Sequence, residues 1–269
     1  MDRLILLSFD LEEFDAPLEY GRNIPEDLQF DVSARGMEVI LPLLDRLDIR
    51  ATFFTTARFA LHDPSLLRRV AERHDVGSHG FRHSGFSNSD LRRSRECIEA
   101  VTEKAVRGFR RPRLAPTEHR LILEAGYRYN SSENPIWVPG RYNNLRAPRT
   151  AYFSEDLLNV PASASPWMRI PLFWLAFRNL PWPVILAASW QTLRVDSYLN
   201  IYFHPCEFTD LRAFGLPWYM TRLSGRAMLE RLERYLLWLK RFGRFAGMDE
   251  FDALCRGDAR RRGRENTAP

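Results

Sequence analysis

The run Leu4-Ile5-Leu6-Leu7-Ser8-Phe9-Asp10-Leu11-Glu12-Glu13 is apolar until it ends in acids, and its reading decides the fold. A short, nearly continuous apolar run reads as a strand buried on both faces, the kind that parallel sheets use. Strand-like runs then alternate with helical patterns. Val32 to Leu47 carries a helical stripe of Met37, Ile40, Leu41, Leu44 and Leu47, and Ala51 to Thr56 is a second strand. Asp63-Pro64 opens a helix with Leu66, Leu67 and Val70 on its buried face, and Val76 to Ser78 begins a third strand. Asn88 to Val106 is a long charged helix, Phe109-Arg110 ends the next strand, and Glu118 to Glu124 is helical with Gly126 as its stop. Tyr127 to Ser131 and Asn200 to Phe203 are further strands, Gly225 to Arg241 an amphipathic helix, and Arg244 to Ala246 a short last strand. Such alternation is the sign of an α/β fold with stacked β-α units in a parallel sheet or barrel.

At 269 residues and 45% hydrophobic content the chain suits one substantial core, which we expect over residues 1–255. Cys97, Cys206 and Cys255 are far apart and odd in number, which fits a reducing compartment and no disulfide framework. The first nine residues are too short an apolar run to be a secretory signal, so a cytoplasmic location is expected. A net charge of +5 rests on arginine, but the arginines are scattered and no nucleic-acid module is present. The densest cluster, Arg260-Arg261-Arg262-Gly263-Arg264, falls in residues 256–269, which read as a basic, disordered tail.

Candidate functional residues gather at one kind of place, the C-terminal ends of the expected strands. Asp10 and Glu12 follow the first, His79 the third, Arg110 the fourth, Ser131 and Ser132 the fifth, and His204 the long strand near residue 200. In a β/α barrel these ends build the active site, so residues almost the whole chain apart would face one cleft. His79 and His83 are spaced as His-x-x-x-His, but Gly77 and Gly80 argue for a strand entering a loop rather than a helix. Two imidazoles and a carboxylate fill three positions around a divalent ion and leave one open for water. Residues 10 and 12 point to the same side of a continuing strand, so both can face that cleft.

Five ordered segments carry a resemblance that spans almost the whole chain: Ser8-Phe9-Asp10-Leu11-Glu12, His79-Gly80-Phe81-Arg82-His83, Gly108-Phe109-Arg110-Arg111-Pro112, Tyr127 to Ser132, and Ile201-Tyr202-Phe203-His204-Pro205. The chain resembles the polysaccharide deacetylase family (the NodB-homology domain, carbohydrate esterase family four), in a subgroup with an Asp-x-Glu first motif. That resemblance implies a distorted barrel of the (β/α)7 type. It implies Asp10 as general base oriented by Arg110, and His204 as the acid that protonates the departing amine. It implies one divalent ion on Glu12, His79 and His83, zinc first, with cobalt, manganese, nickel and iron open to the same donors. Ser131, Ser132 and Arg111 are the candidate substrate-binding residues. Two positions depart from the family pattern. Leu11 stands where many members have a second aspartate, which moves the third ligand to Glu12 with Glu13 as the alternative. Asn130 stands where relatives often have Asp and cannot carry a negative charge. His62, His74 and His119 lack a partner pattern and read as surface or loop residues, and Cys206 as a packing residue near the cleft wall.

The segment from Pro166 to Trp190 is the most apolar of the chain, yet Arg178 and Pro171, Pro181 and Pro183 interrupt it short of a membrane span. It reads either as two helices packed on the barrel or as an interfacial patch for lipid. The implied function is removal of an N-acetyl or N-formyl group from an amino sugar, polymeric or lipid-linked. The implied enzyme is a hydrolase of linear amides, with contact at the inner membrane through residues 166–190 and no nucleic-acid partner. Two other classes share these residues: a non-haem iron oxygenase with a two-His-one-carboxylate site, and a non-catalytic carbohydrate-binding protein on the same fold.

Overall fold

A computed structural model of the chain describes residues 3–138 and 142–265. The strands are β1 (Leu4–Leu11), β2 (Thr52–Thr55), β3 (Asp75–Ser78), β4 (Gly108–Phe109), β5 (Tyr129–Asn130), β6 (Trp137–Val138), β7 (Tyr142–Asn143), β8 (Tyr152–Ser154), β9 (Leu157–Asn159), β10 (Tyr198–Phe203) and β11 (Arg244–Ala246). One sheet runs in the order β10-β1-β2-β3-β4-β5-β9-β8, with β11 also on β1. Seven of these, β10 through β9, are parallel to their neighbours, and only β8 is antiparallel. The sheet curls into the distorted barrel expected from the motifs. Its seam lies between β9 and β10 and is closed by hydrogen bonds rather than by a strand ladder. Asn200 Nδ2 donates to Val160 O (3.1 Å) and Pro161 O (3.0 Å), and Ser163 N donates to Asn200 O at 2.9 Å.

Every residue of β1 is buried, as a parallel strand covered on both faces must be. The two phases of the strand go to different cores. Ile5, Leu7, Phe9 and Leu11 join Met37, Ile40 and Leu44 of the helix Glu26–Arg46, outside the sheet. Leu4 and Leu6 join Phe54, Tyr129 and Leu158 inside it. Asp10 and Glu12 continue the inner phase, so Leu11 faces the helices and cannot reach the cleft. Each such apolar side chain contributes on the order of 2 kcal/mol by leaving water.

Two glycines shape the frame. Gly126 has φ +93°, the left-handed turn that ends the helix His119–Glu124 where the sequence indicated. Gly36, in the helix Glu26–Arg46, lies so close to the Pro205 backbone that a Cβ would sit 1.9 Å from its carbonyl oxygen. Only glycine lets that helix press against the turn bearing His204.

Three expectations are corrected. The long helix ends at Thr102, not Val106, because Glu103 adopts a left-handed φ of 55°. The segment after Ser132, left without strands in the sequence reading, holds the small β6-β7 hairpin and the β8-β9 pair, whose strands of two or three residues are too short to show a period. Residues 256–265, expected as the start of a disordered tail over 256–269, continue the last helix, Met248–Glu265, and residues 266–269 lie outside the described residues. Arg256 holds that helix down through Asp252 Oδ1 (2.7 Å) and Asp156 Oδ1 (2.6 Å). Residues 166–190 contain two helical stretches, Trp174–Asn179 and the start of Trp182–Asp196. No helix among the described residues is long and apolar enough to cross a membrane.

Candidate metal and active site

A cleft of about 740 Å³ opens at the C-terminal ends of the strands, and Asp10, Glu12, His79, His83 and His204 all line it. Glu12, His79 and His83 each turn one ligand atom to a common point, with those atoms all within 4.8 Å of one another. Glu12 Oε2 lies 2.9 Å from His79 Nε2 and 3.5 Å from His83 Nε2. Both rings are oriented from behind. His79 Nδ1 lies 2.9 Å from the Arg110 carbonyl, which can only accept, so Nδ1 carries a hydrogen and Nε2 is the nitrogen turned to the cleft. His83 Nδ1 donates to Asp15 Oδ1 at 2.6 Å in the same way.

His79 Nε2 thus meets a carboxylate oxygen, and Glu12 Oε2 is buried with no hydrogen-bond partner among the described residues. A ring nitrogen and a carboxylate oxygen that close are held by a proton or by a metal ion between them. Burial disfavours protonation of His83, but Glu12 and Asp15 overcome it and raise its pKa to about 9. The donor set thus fits a divalent cation: two nitrogens and a carboxylate, with partners behind each ring.

Across the cleft, Asp10 accepts from Arg110 Nη1 at 2.6 Å, a fully buried pair. Burial alone would push the Asp10 carboxyl up, yet Arg110, His79 and His204 prevail and hold it below the usual range. Arg110 lies between the rings of Phe54 (4.2 Å) and Tyr202 (5.0 Å) and spends Nε and Nη2 on Ser131 O and Oγ. His204 Nε2 faces Asp10 Oδ2 at 3.9 Å. Burial opposes protonation of His204, but the bond to Glu207 and the nearby carboxylates raise its pKa above the ordinary value.

The three residues expected to bind substrate do not line this cleft. Ser131 is spent beneath Arg110 and donates to Val160 O, and Ser132 takes Arg111 N and bonds Asn130. Arg111 donates to Pro116 O and Thr117 Oγ1, with its guanidinium 4.1 Å from the Phe86 ring. The β5 end turns under the site because Asn130 is tied sideways to Asn159. Glu13 lines the cleft but turns to Thr56 Oγ1 at 2.8 Å, and burial raises its pKa. Cys206 lines the cleft wall. His74, expected as a surface or loop residue, lies in the connection between the helix Pro64–Arg73 and β3 but is buried, at the opposite end of the barrel. Asp15, Glu207 and Arg178 were missed. Asp15 and Glu207 act only through histidines, one of them 68 residues away, and no local pattern marks such a contact.

Residues 27–129 match the family model described as polysaccharide deacetylase. The whole chain superposes on a putative polysaccharide deacetylase from Mycobacterium smegmatis with TM-score 0.64 and 17% identity, over 96% of this chain and 92% of that one. It superposes likewise on Puue allantoinase, with TM-score 0.66 and 17% identity over 94% and 90%. An uncharacterized 30.6 kDa protein from Geobacillus stearothermophilus is 30% identical over 133 residues, 45% of this chain; the match spans about half of that relative's length (48%). The chain shares the fold of these solved structures over almost its whole length, and residues 27–129 match the model of the polysaccharide deacetylase family.

Proposed function

We propose that the protein is a metal-dependent hydrolase that removes an N-acetyl or N-formyl group from an amino sugar. The observation that carries this reading is one cleft holding a cation-seeking trio, Glu12, His79 and His83, opposite an ionised Asp10 and an imidazole, His204. Glu12, His79 and His83 would hold one divalent ion, zinc in the first instance, which supplies Lewis-acid polarisation and acidified water. Asp10 keeps Oδ1 on Arg110 and has Oδ2 toward the cleft, so it can take the proton of a water attacking the acyl carbonyl. His204 then gives the proton on Nε2 to the amine nitrogen as the carbon–nitrogen bond breaks. Trp174 and Tyr219 in the cleft wall offer aromatic surface to a sugar ring.

The substrate is polymeric or lipid-linked. Exposed Trp167 (75%), Met168 (78%) and Trp190 (42%) favour the lipid-linked form at the cytoplasmic face of a membrane, although Trp174 and Trp182 of the same segment turn inward. An iron oxygenase is disfavoured by the barrel, since such triads usually sit in a β-sandwich. The test is metal analysis of the purified protein together with acetate and formate release from a panel of N-acylated sugars and vesicle-borne sugar lipids. One divalent ion per chain and acid release from one sugar are expected. A metal-binding protein that releases neither acid leaves the carbohydrate-binding reading, and one that binds no divalent ion sinks the proposal.

A further inference from the structure

The turn Pro205–Phe208 folds Glu207 back beneath His204, three residues before it. Glu207 Oε1 accepts from the His204 backbone N at 2.7 Å and lies 3.1 Å from His204 Nδ1. Its other oxygen accepts from Arg178 Nη2 at 2.8 Å, and both side chains are almost wholly buried (3% and 0% exposed). Arg178 comes from the helix Trp174–Asn179, whose Trp174 meets the His204 ring edge-on at 5.3 Å. Arg178 Nε and Nη1 have no hydrogen-bond partner among the described residues, so the pair is not optimised for stability. A buried ion pair rarely repays its desolvation in stability, and where one is kept, fixing a geometry is the attested reason. Among the described residues no other carboxylate is bonded to the ring: Asn130 is tied to Asn159, and Asp10 Oδ2 stands off Nε2 at 3.9 Å.

We propose that Glu207, braced by Arg178, is the positioning residue of His204, holding the hydrogen on Nδ1 and aiming Nε2 into the cleft toward Asp10. This rests on the proposed function for the role of His204, but the contacts that carry it are its own. It also gives the apolar segment a task beyond packing, because that segment delivers both Trp174 and Arg178 to the histidine.

Glu207→Gln is the informative variant. Its single carbonyl oxygen is claimed by both Arg178 and His204, and the charge-assisted bond to the guanidinium is the stronger. The amide NH₂ then faces Nδ1, and the neutral ring moves its hydrogen to Nε2. In the double variant Arg178→Met/Glu207→Gln the oxygen is free to return to His204. Nitrogen-15 spectra of histidine-labelled, metal-loaded protein, recorded at a pH high enough that the His204 ring is neutral and with His204→Gln assigning the signal, read the tautomer without any substrate. The Nδ1–H form is expected in the unmodified protein, the Nε2–H form in Glu207→Gln, and the Nδ1–H form again in the double variant. Because the His204 backbone N–H also holds that oxygen, Glu207→Leu, which offers Nδ1 no acceptor, is read beside it, and an Nδ1–H tautomer kept in both Glu207→Gln and Glu207→Leu overturns the proposal.

Turnover gives a second reading through two leaving groups. Penta-N-acetylchitopentaose leaves as an amine that needs a proton, whereas 4-nitrophenyl acetate leaves as a stable phenolate that does not. Glu207→Gln should lower kcat on the amide about 100-fold with KM within threefold, and leave the ester within threefold. An equal loss on both substrates makes Glu207 a structural residue and overturns the assignment. If His204→Ala keeps full amide turnover, the proposed function fails instead, and the tautomer experiment still decides the role of Glu207.

Discussion

The two ends of the barrel both bury charged side chains, but they treat them differently. At the N-terminal ends of the strands the last helix lies across the opening and each carboxylate named there finds a cation. Asp249 meets Arg107 at 2.8 Å and takes the Tyr129 hydroxyl at 3.0 Å, Asp252 meets Arg128 at 3.0 Å, and Asp75 meets Arg50 at 2.6 Å. At the C-terminal ends Glu12 Oε2, Glu13 Oε1 and two nitrogens of Arg178 are buried with no hydrogen-bond partner among the described residues. An unmade buried hydrogen bond costs about 1–3 kcal/mol, so the upper end carries a deficit that the lower end does not. Deficits of this kind are where ligands and chemistry belong.

The comparison breaks most visibly at Glu12. Glu12→Gln removes the one anionic ligand of the trio and should abolish tight divalent-ion binding. Acyl hydrolysis should fall by at least about 1000-fold, more than the 10- to 100-fold typical of losing an outer partner. Chemical denaturation of the metal-stripped proteins at about pH 10, above the His83 pKa of about 9, should show the variant as stable as the unmodified chain or more so, because there the buried Glu12 carboxylate has lost its cationic neighbour. A clear loss of stability in the stripped variant would mean that the upper end is a structural ion-pair cluster like the lower one.

That cluster also shows what the sequence could reveal. Asp10 and Glu12 were legible together because strand period places residues two apart on one face, and Leu11 between them belongs to the helix side. His79 and His204 were legible because they follow apolar runs in a β/α order. The limits were physical as well. Ser131, Ser132 and Arg111 sit at strand ends like the others, but the bonds of Asn130 to Asn159 and of Arg110 to Ser131 turn them beneath the cleft. Asp15 and Glu207 work through a histidine, and Arg178 through Glu207, so their roles exist only once the chain is folded. Strands of two residues, such as β4 and β5, are defined by their neighbours and have no period of their own.

A smaller effect tests the lower end. His74 packs on Phe53 and accepts the Ala51 N–H on Nδ1 at 3.3 Å. Burial lowers its pKa from 6.5 to about 4. The folded state therefore resists a proton that the unfolded chain takes up near pH 6.5, and stability contributed by the neutral ring falls as the pH drops from about 6.5 to about 4. The full shift corresponds to about 3 kcal/mol as an upper bound. Urea denaturation at pH 7.5 and pH 4.5 should show this loss in the unmodified protein and a flatter profile in His74→Gln. Parallel profiles would show that His74 is not the sensing group.

The smallest effect concerns the end of the last helix, where composition and structure disagree. A run rich in arginine promises a solvated tail, yet Arg256 is sheltered (11% exposed) and donates to Asp252, to Asp156 and to the carbonyls of Arg128 and Asp156. An exposed i,i+4 pair is worth only about 0.3–0.5 kcal/mol. Here the same side chain also ties the helix to the segments entering β5 and β9, and burial raises the Asp252 pKa, so this carboxylate depends on its cations. Arg256→Ala should then cost about 1 kcal/mol, and removal of residues 256–269 no less, while acyl hydrolysis at the far end of the barrel stays unchanged. A truncated chain with an unshifted melting temperature would restore the boundary at residue 255. A truncation that lowers both stability and turnover would instead couple the two ends and weaken the contrast between them.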